Sequence, residues 1–148
     1  MLEYHFMKEI RFHIIVFVIL VPLIYGCATA VPVTLDGIKT EMASIKKDIA
    51  RNRDNIEKLK SIRVGTTGYY YVVDTDGTVV IHPQAALIGS SFKNNRFINK
   101  IIADKTGCIS NQLGNRMHMV FFDQLNESEI LCLSILSDDV RSLPQECQ

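Results

Sequence analysis

The sequence predicts an α+β domain, a five-stranded antiparallel sheet with a long N-terminal helix and a short crossover helix. Three observations lead there. Apolar residues recur at spacings of three and four from Leu35 to Arg63. An Asp-Gly turn separates two strand-like runs between Tyr69 and His82, and three more such runs follow a short helical segment. Helix, hairpin, helix and then strands is the order in which an antiparallel sheet carries helices on its faces.

At the N-terminus, Lys8 and Arg11 precede an uncharged run from Ile14 to Tyr25, IIVFVILVPLIY. Taken from Phe12 to Ala30, the apolar stretch approaches the roughly 20 residues that cross a bilayer. Positive charges ahead of such a segment stay on the cytoplasmic side, so the chain downstream is expected to be extracytoplasmic. Two forms of residues 1–27 remain open. One is a membrane-anchoring helix that tolerates Pro22. The other is a signal peptide with a short apolar centre. Its end, Ile24-Tyr25-Gly26-Cys27, resembles a bacterial lipobox, with Tyr25 in place of the usual small residue. That resemblance implies a lipoprotein lipidated at Cys27.

Residues 28–34 read as a linker and 35–138 as one domain, with the long helix over 35–63 and the sheet over 64–138. Residues 139–148 read as a polar tail. Along the helix, Leu35, Ile38, Met42, Ile45, Ile49, Asn52, Ile56, Leu59 and Arg63 form a heptad seam. Charged residues such as Lys46, Asp48, Arg51 and Glu57 occupy the other faces. One use of the seam is packing on the domain's own sheet. A second is a homodimer joined through Ile38, Met42, Ile45, Ile49, Asn52 and Ile56, with Asn52 setting the register.

After Gly65 the period becomes strand-like. Tyr69–Asp74 and Thr78–His82 flank Thr75-Asp76-Gly77, a strong hairpin signal, and Pro83 ends the second strand. The stretch Gln84–Phe92 reads as loop. A helix over Asn95–Lys105 buries Phe97, Ile98, Ile101 and Ile102, with Gly107 just past its end. Strands follow over Cys108–Leu113, Arg116–Leu125 and Ile130–Ser137, separated by turns at Gly114-Asn115 and Asn126–Glu129.

Composition excludes several functions. Sixteen basic and sixteen acidic residues give zero net charge, so nothing supplies the basic patch that nucleic acid requires. Cys108, Cys132 and Cys147 permit one disulfide in an oxidising compartment. Cys147 has either of the other two within reach, and Cys108 and Cys132 equally suit small buried apolar positions. No Cys/His zinc spacing occurs. Met117-His118-Met119 contains copper-type ligands, but strand alternation turns both methionines away from the histidine. Asp74-Thr75-Asp76-Gly77 resembles the start of a calcium loop, yet Ala85 stands where such a loop needs glutamate. No metal or cofactor is expected. Ser90 and Ser91 lack a nucleophile motif, and His82 and His118 are the only histidines after the leader. No enzyme is expected.

The block GYYYVVDTDGTVVIHP, followed by ALIGSSF, a short helix and KTGCIS, resembles the Cache domain family. The matching positions are Gly68-Tyr69, Asp74 to Gly77, His82-Pro83 and Leu87-Ile88-Gly89, and the likeness covers residues 68–125. It implies a PAS-like extracytoplasmic sensor fold, as found in chemoreceptors and sensor kinases, with a small-molecule pocket on one sheet face. The long helix would support dimers. Most such proteins continue into a second span and a signalling module, whereas this sequence stops about ten residues after its last strand. No output module is therefore expected, and signalling would require a partner, such as a membrane receptor or kinase, or a different role.

Arg116 and His118 share one face of their strand, Tyr69 and Tyr71 share a face of theirs, and His82 ends the strand between. Brought together, Tyr69, Tyr71, His82, Arg116 and His118 would offer phenol, imidazole and guanidinium donors to a small organic or amino acid carboxylate. The plainer alternatives are a solvent-facing Arg116, a His82 that fixes a strand end, and tyrosines used for packing. An interaction lipoprotein of the same fold, regulating a membrane partner without a ligand, is the competing function.

Overall fold

Thr34 starts the first helix because its hydroxyl accepts the Gly37 N–H at 3.2 Å, satisfying one of the amides that a helix N-terminus leaves free. The structure is a computed structural model, and it describes residues 33–142 together with Cys147. The leader, Cys27 and most of the 28–34 linker lie outside the described residues. Among those described, no helix is long and apolar enough to cross a membrane.

Helix α1 spans Leu35–Arg51 and buries Ile38, Met42, Ile45 and Ile49. The expected single helix to Arg63 is broken at Asn52, whose backbone is extended at φ −148° and ψ 115°. The Asn52 side chain accepts the Asp54 N–H at 3.0 Å, and the Asn55 side-chain amide donates to the Asp48 carbonyl at 2.9 Å. Such side-chain bonds offer the backbone an alternative to continuing the helix. A 3₁₀ helix, Arg53–Lys60, follows and buries Ile56 and Leu59. Asn52 is therefore a helix breaker on the surface, not a polar member of a continuous seam. The other seam residues named for a dimer, Ile38, Met42, Ile45, Ile49 and Ile56, lie within this chain's own core, with Ile38 at 0% exposure. They form no free stripe for a partner helix.

The sheet comprises β1 (Arg63–Val64), β2 (Gly68–Asp74), β3 (Val79–Ile81), β4 (Gly107–Leu113), β5 (Arg116–Asn126) and β6 (Glu129–Leu136). Helix α2 (Arg96–Asp104) lies between β3 and β4. The order is β1-β2-β6-β5-β4, with β3 also paired to β2, and every pairing is antiparallel. The five expected strands are all present, and the two-residue β1 adds a sixth. In the β2–β3 hairpin, Asp74 Oδ1 accepts the N–H groups of Asp76 and Thr78 at 2.9 and 2.8 Å. Gly77 stands at φ +80°, where a Cβ would also meet the Lys93 backbone at 3.0 Å. The hairpin is thereby held against the segment leading into α2.

Central β6 is buried at every position because both sheet faces are covered. On one face α1 packs over Tyr70, Met119, Phe121, Leu131 and Leu133. On the other, Ile98 and Ile101 of α2 join Tyr71, Val73, Val120 and Phe122. Ion pairs Lys46–Asp123 and Arg53–Glu129 tie the helical segment to β5 and β6.

The described residues of the segment read as a polar tail pack into the domain. The Asp139 carboxylate accepts the Thr66 and Thr67 N–H groups and the Thr67 hydroxyl. Val140 is buried and bridges Val33 in parallel. Cys147, 2% exposed, forms a disulfide with Cys108. Of the open cysteine pairings this one is present, and Cys132 is a free buried thiol.

Candidate functional site

Side chains directly opposite on neighbouring strands share a sheet face. Register places Arg63, Tyr69, Ser134, Val120 and Ile109 in one row across the sheet. Tyr71, Cys132, Phe122 and Gly107 form the row on one side of it. Leu136, His118 and Asn111 form the row on the other. An open cavity of about 1240 Å³ lies on this face, floored by Tyr69, Tyr71, Val120, Ser134, Asn111 and His118. Helix α2 and the segment before it supply the opposite wall, including Phe92, Phe97, Arg96 and Lys100. The disulfide between Cys108 and Cys147 adds its two residues to the lining.

The β2–β3 hairpin brings three of the expected residues together. The ring of Tyr69 lies 5.3 Å from that of His82, edge to face. Tyr71 lies 5.7 Å from His82 and 6.2 Å from Tyr69. His82, 7% exposed, accepts the Gln84 N–H at Nδ1 over 2.9 Å. Burial pushes its pKa below the usual imidazole value. The ring is therefore neutral near pH 7, and with Nδ1 occupied as an acceptor its own proton sits on Nε2. Tyr71 is buried beside Cys132, and burial, reinforced by that thiol, raises its phenol pKa well above normal. The Cys132 thiol is pushed up to about 12, also by burial. Both are neutral, Tyr71 in the floor and Cys132 buried beside it.

His118 joins the site from β5, half-buried in the lining. Arg116 does not. It is exposed, faces Leu113 across the tight β4–β5 turn, and lies outside the cavity lining. Alternation put Arg116 on the correct face, but one row too far toward the hairpin tip. The cations that border the cavity come from α2. Asn95 caps that helix by accepting the Phe97 and Ile98 N–H groups at 2.9 and 3.3 Å. This cap sets Arg96 and Lys100 one turn apart on the cavity side. Lys100 pairs with Asp104 at 2.7 Å, whereas Arg96 has no ion-pair partner among the described residues. The signal was present as Asn-Asn-Arg ahead of an apolar helical period, with basic residues four apart. The floor thus offers hydroxyl, imidazole and amide groups, and the rim offers the guanidinium of Arg96. No cluster of metal-ligating residues occurs among the described residues.

No curated protein sequence matches this chain. Solved structures share the fold. A methyl-accepting chemotaxis protein from Vibrio parahaemolyticus aligns with TM-score 0.53 at 18% identity, covering 68% of this chain and 86% of that one. A Cache chemosensory domain described for carboxylic acid recognition aligns at 0.52 and 14% identity, covering 69% and 85%. The ligand-binding domain of Mlp24 with asparagine aligns at 0.48 and 22% identity, covering 57% of this chain. This chain spans only about a third of that domain's length, 35%. The family model for the Cache 3/Cache 2 fusion domain matches residues 45–138, from the middle of α1 to the end of the sheet. Those residues include the hairpin block that first carried the resemblance, and the chain belongs to the Cache 3/Cache 2 fusion domain family.

Proposed function

We propose that this chain is the extracytoplasmic input domain of a membrane-anchored sensor, and that its sheet-face cavity receives a small organic acid or amino acid. The observation that carries this reading is the cavity itself. It combines an aromatic corner of Tyr69, Tyr71 and His82 with polar groups on β4, β5 and β6 and the cation of Arg96, unpaired among the described residues. Ligand sites typically pair an apolar lining with a few converging polar groups in this way. A carboxylate suits the donors, because neutral His82 presents Nε2–H and a guanidinium binds carboxylate through a fork of parallel hydrogen bonds. The fold shared with a carboxylic-acid-recognising chemosensory domain agrees with this choice. Extracytoplasmic placement is supported by the apolar run from Ile14 to Tyr25, anchored by a span or through a lipid on Cys27. Signalling would pass to a membrane receptor or kinase partner.

A thermal-shift screen of the purified chain against small carboxylates and amino acids tests the reading. A ligand at a hundredfold excess over its dissociation constant stabilises by about 2.7 kcal/mol, a shift of roughly 10 °C for a domain of this size. Silence across the whole panel would favour the interaction-protein alternative.

A further inference from the structure

We propose that a second, smaller cavity, sharing Tyr69 and His82 with the main one, is a binding site for a single small oxyanion. This cavity of about 160 Å³ is lined by Arg63, Tyr69, His82, Pro83 and Gln84. At about 30 Å³ per water it holds an ion of acetate or phosphate size with little room to spare, well below the roughly 300 Å³ of an ordinary ligand pocket. Its lining contains a guanidinium, a phenol, an imidazole and a side-chain amide, and no carboxylate.

Arg63 is held in place for this role. It sits on β1 directly across from Tyr69, so it belongs to the cavity face of the sheet. Its Nη1 donates to the Lys60 and Ile62 carbonyls, both at 3.0 Å. That fixes one corner of the guanidinium at the end of the 3₁₀ helix and leaves the remaining N–H groups without a partner among the described residues. Arg63 also has no ion pair among them. The planar fork suits a carboxylate or phosphate. Neutral His82 adds an Nε2–H donor, since its Nδ1 is occupied by the Gln84 amide. The Tyr69 hydroxyl has no hydrogen-bond partner among the described residues and completes the donor set.

Because Tyr69 and His82 line both cavities, an anion here orders two side chains that the main site also uses. Any coupling of the two occupancies is reciprocal. The small site does not depend on identifying an occupant for the large one, so the failure of either proposal is visible without the other.

The test is titration of the purified chain with sodium acetate and with inorganic phosphate, against sodium chloride at matched ionic strength. The readouts are the His82 ring resonances by NMR and the melting temperature. Saturable binding of an oxyanion is expected, weakened about tenfold or more in Arg63→Gln, the loss anticipated for a charge-assisted hydrogen bond. Arg63→Lys should fall between, because it keeps the charge and loses the fork. His118→Ala, which alters only the main cavity, should leave the affinity within about twofold. A normal melting temperature of Arg63→Gln in chloride confirms that this variant folds. Absence of saturation by either anion across the millimolar range overturns the proposal. So does equal affinity in Arg63→Gln, or a loss in His118→Ala without one in Arg63→Gln, which would place the anion in the main cavity.

Discussion

His82 is the residue at which burial, backbone contact and aromatic packing converge. Its pKa is depressed from the usual 6.5 by burial, so near that pH the unfolded chain binds more protons than the folded one. Its contribution to stability is complete above about pH 6.5 and is lost as pH falls toward the folded value. Denaturant unfolding of the parent across this window should show that decline, and His82→Gln should flatten it. An unchanged slope in the variant would mean that another group sets the acid limit. Arg96 and Arg116 make an opposed pair. Arg96→Ala should weaken a carboxylate ligand roughly ten- to a hundredfold, as loss of a charged hydrogen bond of about 1.5–3 kcal/mol implies. Arg116→Ala, outside the cavity, should change affinity less than about twofold when both are measured by calorimetry. Strand alternation fixes the face on which a side chain stands, and it placed Tyr69, Tyr71, His82 and His118 on the face that lines the cavity. Arg116 lies outside the lining, which alternation does not show because it gives the face and not the distance along it. Only the register, with His118 opposite Asn111 and Arg116 opposite Leu113 at the turn, separates the two.

At the level of elements, periodicity located the strands to within a residue or two, since turns such as Asp74–Gly77 are local chemistry. The helix was harder. A heptad count continues across Asn52 without interruption, and what stops the helix is a side chain competing for backbone amides, as Asn52 does with Asp54. Asn52→Ala should therefore cost the N-cap of the 3₁₀ helix, about 1 kcal/mol in chemical denaturation. The seam residues behave differently, because they pack on β2, β5 and β6. Ile49→Ala should destabilise the chain by about 2–5 kcal/mol. Loss of self-association with stability intact would contradict the assignment of Ile49 to the chain's own core. The short β1 escaped notice because two residues show no period, and its pairing with β2 is what places Arg63 opposite Tyr69.

For the whole molecule, the two ends of the described domain are fastened to the sheet. Val33 bridges Val140, Asp139 clamps Thr66 and Thr67, and the disulfide joins Cys147 to Cys108 across 39 residues. Composition marked only a polar tail, and spacing left the cysteine pairing open, because long-range closure leaves no local trace. Chain-entropy arguments give such a loop about 4 kcal/mol of stabilisation. Cys147→Ser should lower stability by about 2–4 kcal/mol, and reduction of the parent should match it. Since both cysteines line the cavity, ligand affinity is expected to fall with them. We propose that a small acid occupies the sheet face beneath α2. A structure of the chain bound to the best carboxylate or amino acid from the screen tests it most directly. The ligand is expected between Tyr69, His82 and His118, with Arg96 on its carboxylate. A ligand bound on the α1 face or at the fastened ends, with this cavity empty, would contradict it.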